Sequence, residues 1–347
     1  MKQSPVTLSF EPFNCPADIL ISARSYFVDR MVPECEVIHL PPKQVGGGEF
    51  WFAYKMGVTQ HPETPKPQKG LRQGLKMLRP KPETETISDK VFLDFRLKVP
   101  QNWAHFLNDH LPIYFVAAHE LGLSASETLL VLPQKTPGYI RRAAAFFGLE
   151  TLCTDAPVSG DAVMLETSRW IRCRSIRAEW AHLPFVTETL DAAGIRDGIS
   201  VDLPNRAFLS RRATRNLENE DAVEAFLNAR GYTKIYPEDL SVADQFKLFE
   251  QAEHIVAIHG AGLAPMLYRS DASRLRGLIE LFPCGHMTDN FRVMAHQVGC
   301  AWAGVRGKIK PEHVEPAYDL SKPFVEYSLQ SFEVDLHALE MALALHI

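Results

Sequence analysis

The chain has 347 residues, of which 46% are hydrophobic and 23% charged; that balance supports a full hydrophobic core and excludes disorder as the overall state. At about 150 residues per domain, the length favours two domains. With 37 Lys+Arg against 42 Asp+Glu the net charge is −5, so no global basic field exists for nucleic acid and attraction to anions has to be local.

Met1 to Val6 carries no apolar signal core, and no apolar run reaches the ~18 residues of a membrane span. Cysteines at 15, 35, 153, 173, 284 and 300 form no CxxC pair and no zinc spacing, which predicts reduced thiols in a cytoplasm. Glu36–Leu40, Phe50–Tyr54 and Lys90–Phe95 read as strands. Between them, residues 61–86 hold five Pro and interrupt regular structure. Within this insertion, 66–81 carries six Lys/Arg and no acid, with Leu71, Leu75 and Leu78 at helical spacing beside Arg72, Lys76 and Arg79. Two readings stand: a basic amphipathic helix that docks on anionic lipid headgroups, peripherally at the inner face of the membrane, or on an anionic acceptor, and a solvated loop with a packed Leu stripe.

Trp103–Leu121 predicts one long helix, Leu129–Leu132 a strand, Tyr139–Phe147 a helix, Trp170–Ile176 a strand and Pro184–Ala193 a helix. Gly, Asp and Pro cluster over 194–204 and mark a boundary. The predicted divisions are an N-terminal lobe over 1–198, a C-terminal lobe over 199–315 and a tail over 316–347. The tail ends in an amphipathic helix from Phe332 onward, expected to pack back on the N-terminal lobe.

In the C-terminal lobe, strands at Arg206–Ser210, Thr233–Tyr236, His254–Ile258, Arg276–Phe282 and Ala301–Val305 alternate with helices. The helices begin at Asn219 (as N-cap), at Ser241, after Gly260 and near Asn290. That alternation predicts an α/β fold with a parallel, doubly wound sheet, whose ligands bind at the carboxyl ends of the strands. Arg211 and Arg212 follow the first strand, His259-Gly260-Ala261-Gly262 follow the third, and Glu280 lies near the end of the fourth. The two glycines allow close backbone approach and positive φ, and the helix start beyond them attracts phosphate oxygens. A guanidinium and a helix start suit a diphosphate; a carboxylate suits the hydroxyls of a ribose. A ligand-free turn, and an internal ion pair for Glu280, are the alternatives. Pro265 in the third glycine position excludes the dinucleotide fingerprint.

The order and spacing of Phe208-Leu209-Ser210-Arg211-Arg212, Asn219-Glu220-Asp221, Leu240 to Ala252, Ile258-His259-Gly260-Ala261-Gly262-Leu263 and Ile279-Glu280-Leu281 resemble glycosyltransferase family 61, the capsular polysaccharide biosynthesis glycosyltransferases. Asn102-Trp103-Ala104-His105-Phe106-Leu107-Asn108-Asp109-His110-Leu111-Pro112 is similar to the same family's first conserved helix. The resemblance spans roughly residues 90 to 305 and leaves out the insertion. It implies two Rossmann-like lobes of GT-B type and inversion at the anomeric carbon. It also implies a nucleotide-sugar donor, with UDP the expected carrier and no metal or other cofactor. Donor-binding residues would be Arg211, Arg212, His259, Gly260, Ala261, Gly262, Glu280 and Asn290. The acceptor would be a saccharide or glycolipid in surface polysaccharide biosynthesis. The sequence holds no Asp-x-Asp motif for a cation on the diphosphate.

An inverting transfer needs one general base. His105 and Asp109 are i and i+4 and share a helix face. Asp109 is favoured as base with His105 tuning it or holding the acceptor; the reverse assignment and a structural hydrogen bond are the alternatives. A sugar-nucleotide isomerase or hydrolase, or a non-catalytic nucleotide-binding partner subunit, could share this scaffold.

Overall fold

A computed structural model describes residues 6–23, 35–62, 83–97, 99–165, 173–198, 200, 202–309 and 329–346. The basic stretch 66–81 lies outside the described residues. So do residues 170–172 of the strand predicted at 170–176, while the described part, Cys173–Ile176, is a 3-10 turn and not a strand. Among the described residues no helix is long and apolar enough to cross a membrane.

The architecture is mixed α/β. Fourteen strands are described: β1 (Val6–Cys15), β2 (Asp18–Ser22), β3 (Glu36–Leu40), β4 (Lys43–Gln60), β5 (Glu85–Thr86), β6 (Val91–Asp94), β7 (Thr128–Leu132), β8 (Glu150–Cys153), β9 (Val158–Leu165), β10 (Arg206–Leu209), β11 (Thr233–Ile235), β12 (His254–Ile258), β13 (Gly277–Phe282) and β14 (Ala301–Arg306). The chain forms two compact units. One comprises Met1–Glu11, Gly47–Cys173 and His182–Thr189; the other comprises Pro12–Gly46, Arg174–Ala181 and Leu190–Ile347.

The sheet of the first unit runs β1-β4-β9-β6-β7-β8, with β5 also on β9. β6, β7 and β8 are parallel, and β4 is antiparallel to β9. Ile87, Phe92, Val131, Val158 and Ala162 form a buried cluster on it.

The second sheet runs β11-β10-β12-β13-β14-β2-β3. It is parallel from β11 to β2, with β3 antiparallel at the edge. Every residue of β13 is buried, which is why Gly277–Phe282 reads as a continuous apolar run. Numbered along the chain, the five second-half strands lie in the order 2-1-3-4-5, so the strand order reverses at β10 and β12. Open parallel sheets bind ligands in the crevice at such a reversal, outside the carboxyl ends.

Two boundaries differ from the sequence expectation. Residues 12–46, 174–181 and 190–198 group with the second half instead of with the rest of 1–198. β2 pairs with β14, and Gly304 makes room for it, because a Cβ there would sit 2.5 Å from Leu20 Cδ1. Nor does the C-terminal helix, Leu336–His346, join the first-half unit. Its Ala338, Leu339, Ala342 and Leu343 are buried with Ile21, Val256 and Ala303 of the second sheet. Asn219 precedes the helix Glu220–Asn228, but its side chain does not cap it. The amide instead bonds both backbone groups of Val334, at 2.8 and 3.1 Å, and so pins the tail to the second unit.

Candidate functional site

In the second unit the carboxyl ends of β10 and β12 carry Arg211 and the His259–Gly262 corner. Arg211 Nη1 donates to the His259 carbonyl at 3.0 Å and Nη2 to Thr214 Oγ1 at 3.2 Å. The guanidinium lies against Gly260, where a Cβ would come within 3.0 Å of Arg211 Cζ; on Gly262 a Cβ would come within 2.9 Å of Pro237 Cγ. A side chain at Gly260 would displace the Arg211 guanidinium from this position, and one at Gly262 would push on the rigid Pro237 ring. Gly260 is extended, with φ 164° and ψ −178°, and neither glycine is in the left-handed region. The segment beyond is a 3-10 helix, Ala261–Tyr268, with Pro265 inside it.

Sequence reasoning missed Arg215. Its Nη1 lies 3.3 Å from the same His259 carbonyl, so two guanidiniums converge on one acceptor. Its φ of 59° is a left-handed conformation that side chains seldom adopt, and such strain tends to be kept where function needs it. Burial, then the nearby Arg211 charge, pulls the Arg215 pKa down to about 10; burial lowers that of Arg211 too. Arg211 has no ion pair among the described residues. Crowded, half-buried cations of this kind form an anion-seeking corner. The only sequence hint of Arg215 is its place four residues after Arg211.

The His259 ring is fixed from behind. Its Nδ1 lies 2.5 Å from Glu280 Oε1, and Trp302 Nε1 donates to Glu280 Oε2 at 2.9 Å. Glu280 is 0% exposed. It cannot reach a ribose; it holds the tautomer in which Nδ1 carries the proton. Phe282 stacks on the His259 ring at 5.1 Å, and Phe291 and His286 meet it edge-on at 5.6 and 5.4 Å.

Burial, then the His259 and Arg215 charges, pushes the His286 pKa from 6.5 to about 4. The unfolded chain takes up this proton below 6.5 and the folded protein only near 4. Stability is therefore expected to fall as pH drops through that window. Urea midpoints at pH 7 and pH 5 check this; a His286→Phe variant is expected to lose part of the difference.

The remaining donor candidates are placed differently. Arg212 is exposed, stacked 3.8 Å over Tyr236 and bonded to both Asp239 oxygens at 2.7 and 2.5 Å. Asn290 starts the helix Asn290–Gln297, next to Phe291, with its amide on Thr288 at 3.4 Å. Asp289 pairs with Lys43. Arg292 is spent on Asp18 and on the carbonyls of Pro16 and Pro41.

The first unit holds the second pair. The predicted helix over 103–121 is α-helical at Trp103–His105, π-helical at Phe106–His110 and α-helical again at Leu111–Leu121. Pro112 has no N–H, and its ring would crowd the Asn108 carbonyl in a regular helix, so the widened turn relieves that clash. Leu111 N–H accordingly bonds Phe106 O. His110 is buried, its ring nitrogens 2.9 and 3.0 Å from the carbonyls of His105 and Leu97. Burial lowers its pKa. It is an anchor of the turn. His105 Nδ1 lies 2.9 Å from Asp109 Oδ2, as the i,i+4 spacing predicts. The Asp109 side chain is 5% exposed and that of His105 43%. Phe106 is fully buried core.

Among the described residues one trio has metal-type donors, Cys15, Asp18 and His296, within 4.8 Å of one another. Asp18 Oδ2 there already accepts from Arg292 Nε at 2.7 Å and faces His296 Nε2 at 2.6 Å, so a guanidinium stands in for a cation.

No curated protein matches the chain. The Glycosyltransferase 61 family model matches residues 103–275, a span that contains His105, Asp109, Arg211, Arg215 and the His259–Gly262 corner and ends before Glu280 and Asn290. Through that span the chain belongs to glycosyltransferase family 61.

Proposed function

We propose that the protein is an inverting, metal-independent glycosyltransferase that moves a sugar from a nucleoside-diphosphate donor to a glycan or glycolipid acceptor. The observation that carries this is the pair of guanidiniums, Arg211 and Arg215, gathered on the His259 carbonyl at the strand reversal. The acceptor hydroxyl attacks the anomeric carbon. The bond to the diphosphate breaks on the opposite face, and the nucleoside diphosphate leaves. Arg211 and Arg215 offset the charge that builds on it, the task a divalent cation performs elsewhere.

The hydroxyl's proton needs an acceptor. Sequence reasoning favoured Asp109, but the exposures argue for His105. The carboxylate is enclosed and holds Nδ1, which favours the neutral tautomer whose unprotonated nitrogen is Nε2, on the more exposed of the two side chains. His105 is then the base and Asp109 its positioning residue.

Isothermal titration with UDP and GDP tests the donor corner. Arg211→Ala is expected to weaken the nucleotide that binds by about 2 kcal/mol, a charged hydrogen bond to phosphate being worth that order. Unchanged affinity would remove Arg211 from the site. In the same assays EDTA is expected to leave transfer unaffected; inhibition reversed by Mn²⁺ would contradict metal independence.

A further inference from the structure

The enclosure of Glu280 leaves the ribose without its expected partner, and a second carboxylate stands at the same strand edge. β11 ends at Ile235, and the turn Pro237–Asp239 follows it. Because β11 pairs with β10 in parallel, this turn lies at the carboxyl edge beside the residues that follow β10. It also meets the glycine corner, through the close approach of Gly262 to Pro237. Glu238 in this turn is half exposed, 3.6 Å from Arg212. The Arg212 guanidinium gives its hydrogen bonds to Asp239, so Glu238 keeps lone pairs for a ligand. Its charge also acts on Arg211. Phe282, Phe291 and His286 close around the His259 ring.

An ionised carboxylate is acceptor-only: it repels phosphate oxygens and takes two O–H donors. Beside a phosphate-binding guanidinium, the ligand group that fits it is a vicinal diol. We propose that Glu238 reads the ribose 2′- and 3′-hydroxyls of the nucleoside diphosphate whose phosphates rest on Arg211, a role that rests on the donor reading above. The site then selects ribonucleotides.

Titrations of wild type and Glu238→Ala with UDP, GDP, their 2′,3′-dideoxy analogues and inorganic pyrophosphate test it. Wild type is expected to bind the ribonucleotide about tenfold tighter than its dideoxy analogue. Glu238→Ala is expected to lose that preference and to bind pyrophosphate within twofold of wild type. Glu238→Gln, with one acceptor oxygen left, is expected to fall between. A preference that survives in Glu238→Ala overturns the proposal, as does wild type that binds pyrophosphate but shows no ribose preference. Wild type that binds neither nucleotide nor pyrophosphate overturns the donor reading itself, and this role with it.

Discussion

Glu280→Ala is expected to lower the stability of the second unit by about 2–6 kcal/mol, since it leaves two buried donors unpaired and each costs about 1–3 kcal/mol. The substitution leaves two donors, His259 Nδ1–H and Trp302 Nε1–H, facing a cavity on a fully buried strand. Urea denaturation measures the loss; a change below 1 kcal/mol would mean that the carboxylate is not holding these groups. Glu280→Gln separates charge from shape. Its amide oxygen can accept from Trp302 while its NH₂ faces His259 Nδ1, a geometry satisfied only if the ring proton moves to Nε2. Gln is therefore expected to cost far less stability than Ala and to reverse the His259 tautomer. Nitrogen-15 NMR of the histidine rings reads that directly; an unchanged tautomer would show that Glu280 does not set it.

His105→Ala is expected to lower transfer by about 10²–10⁴-fold, the usual contribution of a positioned general base, with donor affinity unchanged. Asp109→Asn is expected to approach the same loss by another route. An Asn amide donating to Nδ1 pushes the ring proton to Nε2 and removes the lone pair that would take the acceptor's proton. The buried position of Asp109 means that its own carboxylate has little access to a hydroxyl. Substrate turnover measured beside nucleotide titration distinguishes the outcomes. Full activity in His105→Ala would take His105 out of the chemistry. Loss of nucleotide binding in either variant would mean a folding defect rather than a lost base.

The second-half strands were legible because each is a short, local apolar run. His254–Ile258 coincides with β12, and Ser241 caps its helix through Asp244 N–H at 3.1 Å, as its residue type predicts. The His105–Asp109 contact was legible because i,i+4 spacing survives in the irregular turn. The turn's π geometry was not, since Pro112 signals a disturbed helix without saying how the backbone relieves it. β8 and β9 escaped because Glu150–Cys153 is short and partly exposed and Val158–Leu165 is broken by Gly160 and Asp161, so neither shows a clean period.

By itself the sequence determined the alternating strands and helices of the second half and the arrival of Arg211 and His259 at neighbouring strand ends. Those features depend on periodicity and on the order of strands, both of which are local or nearly so. Only the tertiary structure decided that Glu280 is enclosed, that Arg215 joins Arg211, and that residues 12–46 and the C-terminal helix complete the second unit. Each of these depends on which groups remote in the chain exclude water from one another. A carboxylate near a strand end has the same letter whether it meets solvent or a histidine and a tryptophan, and burial against those two partners makes it a scaffold.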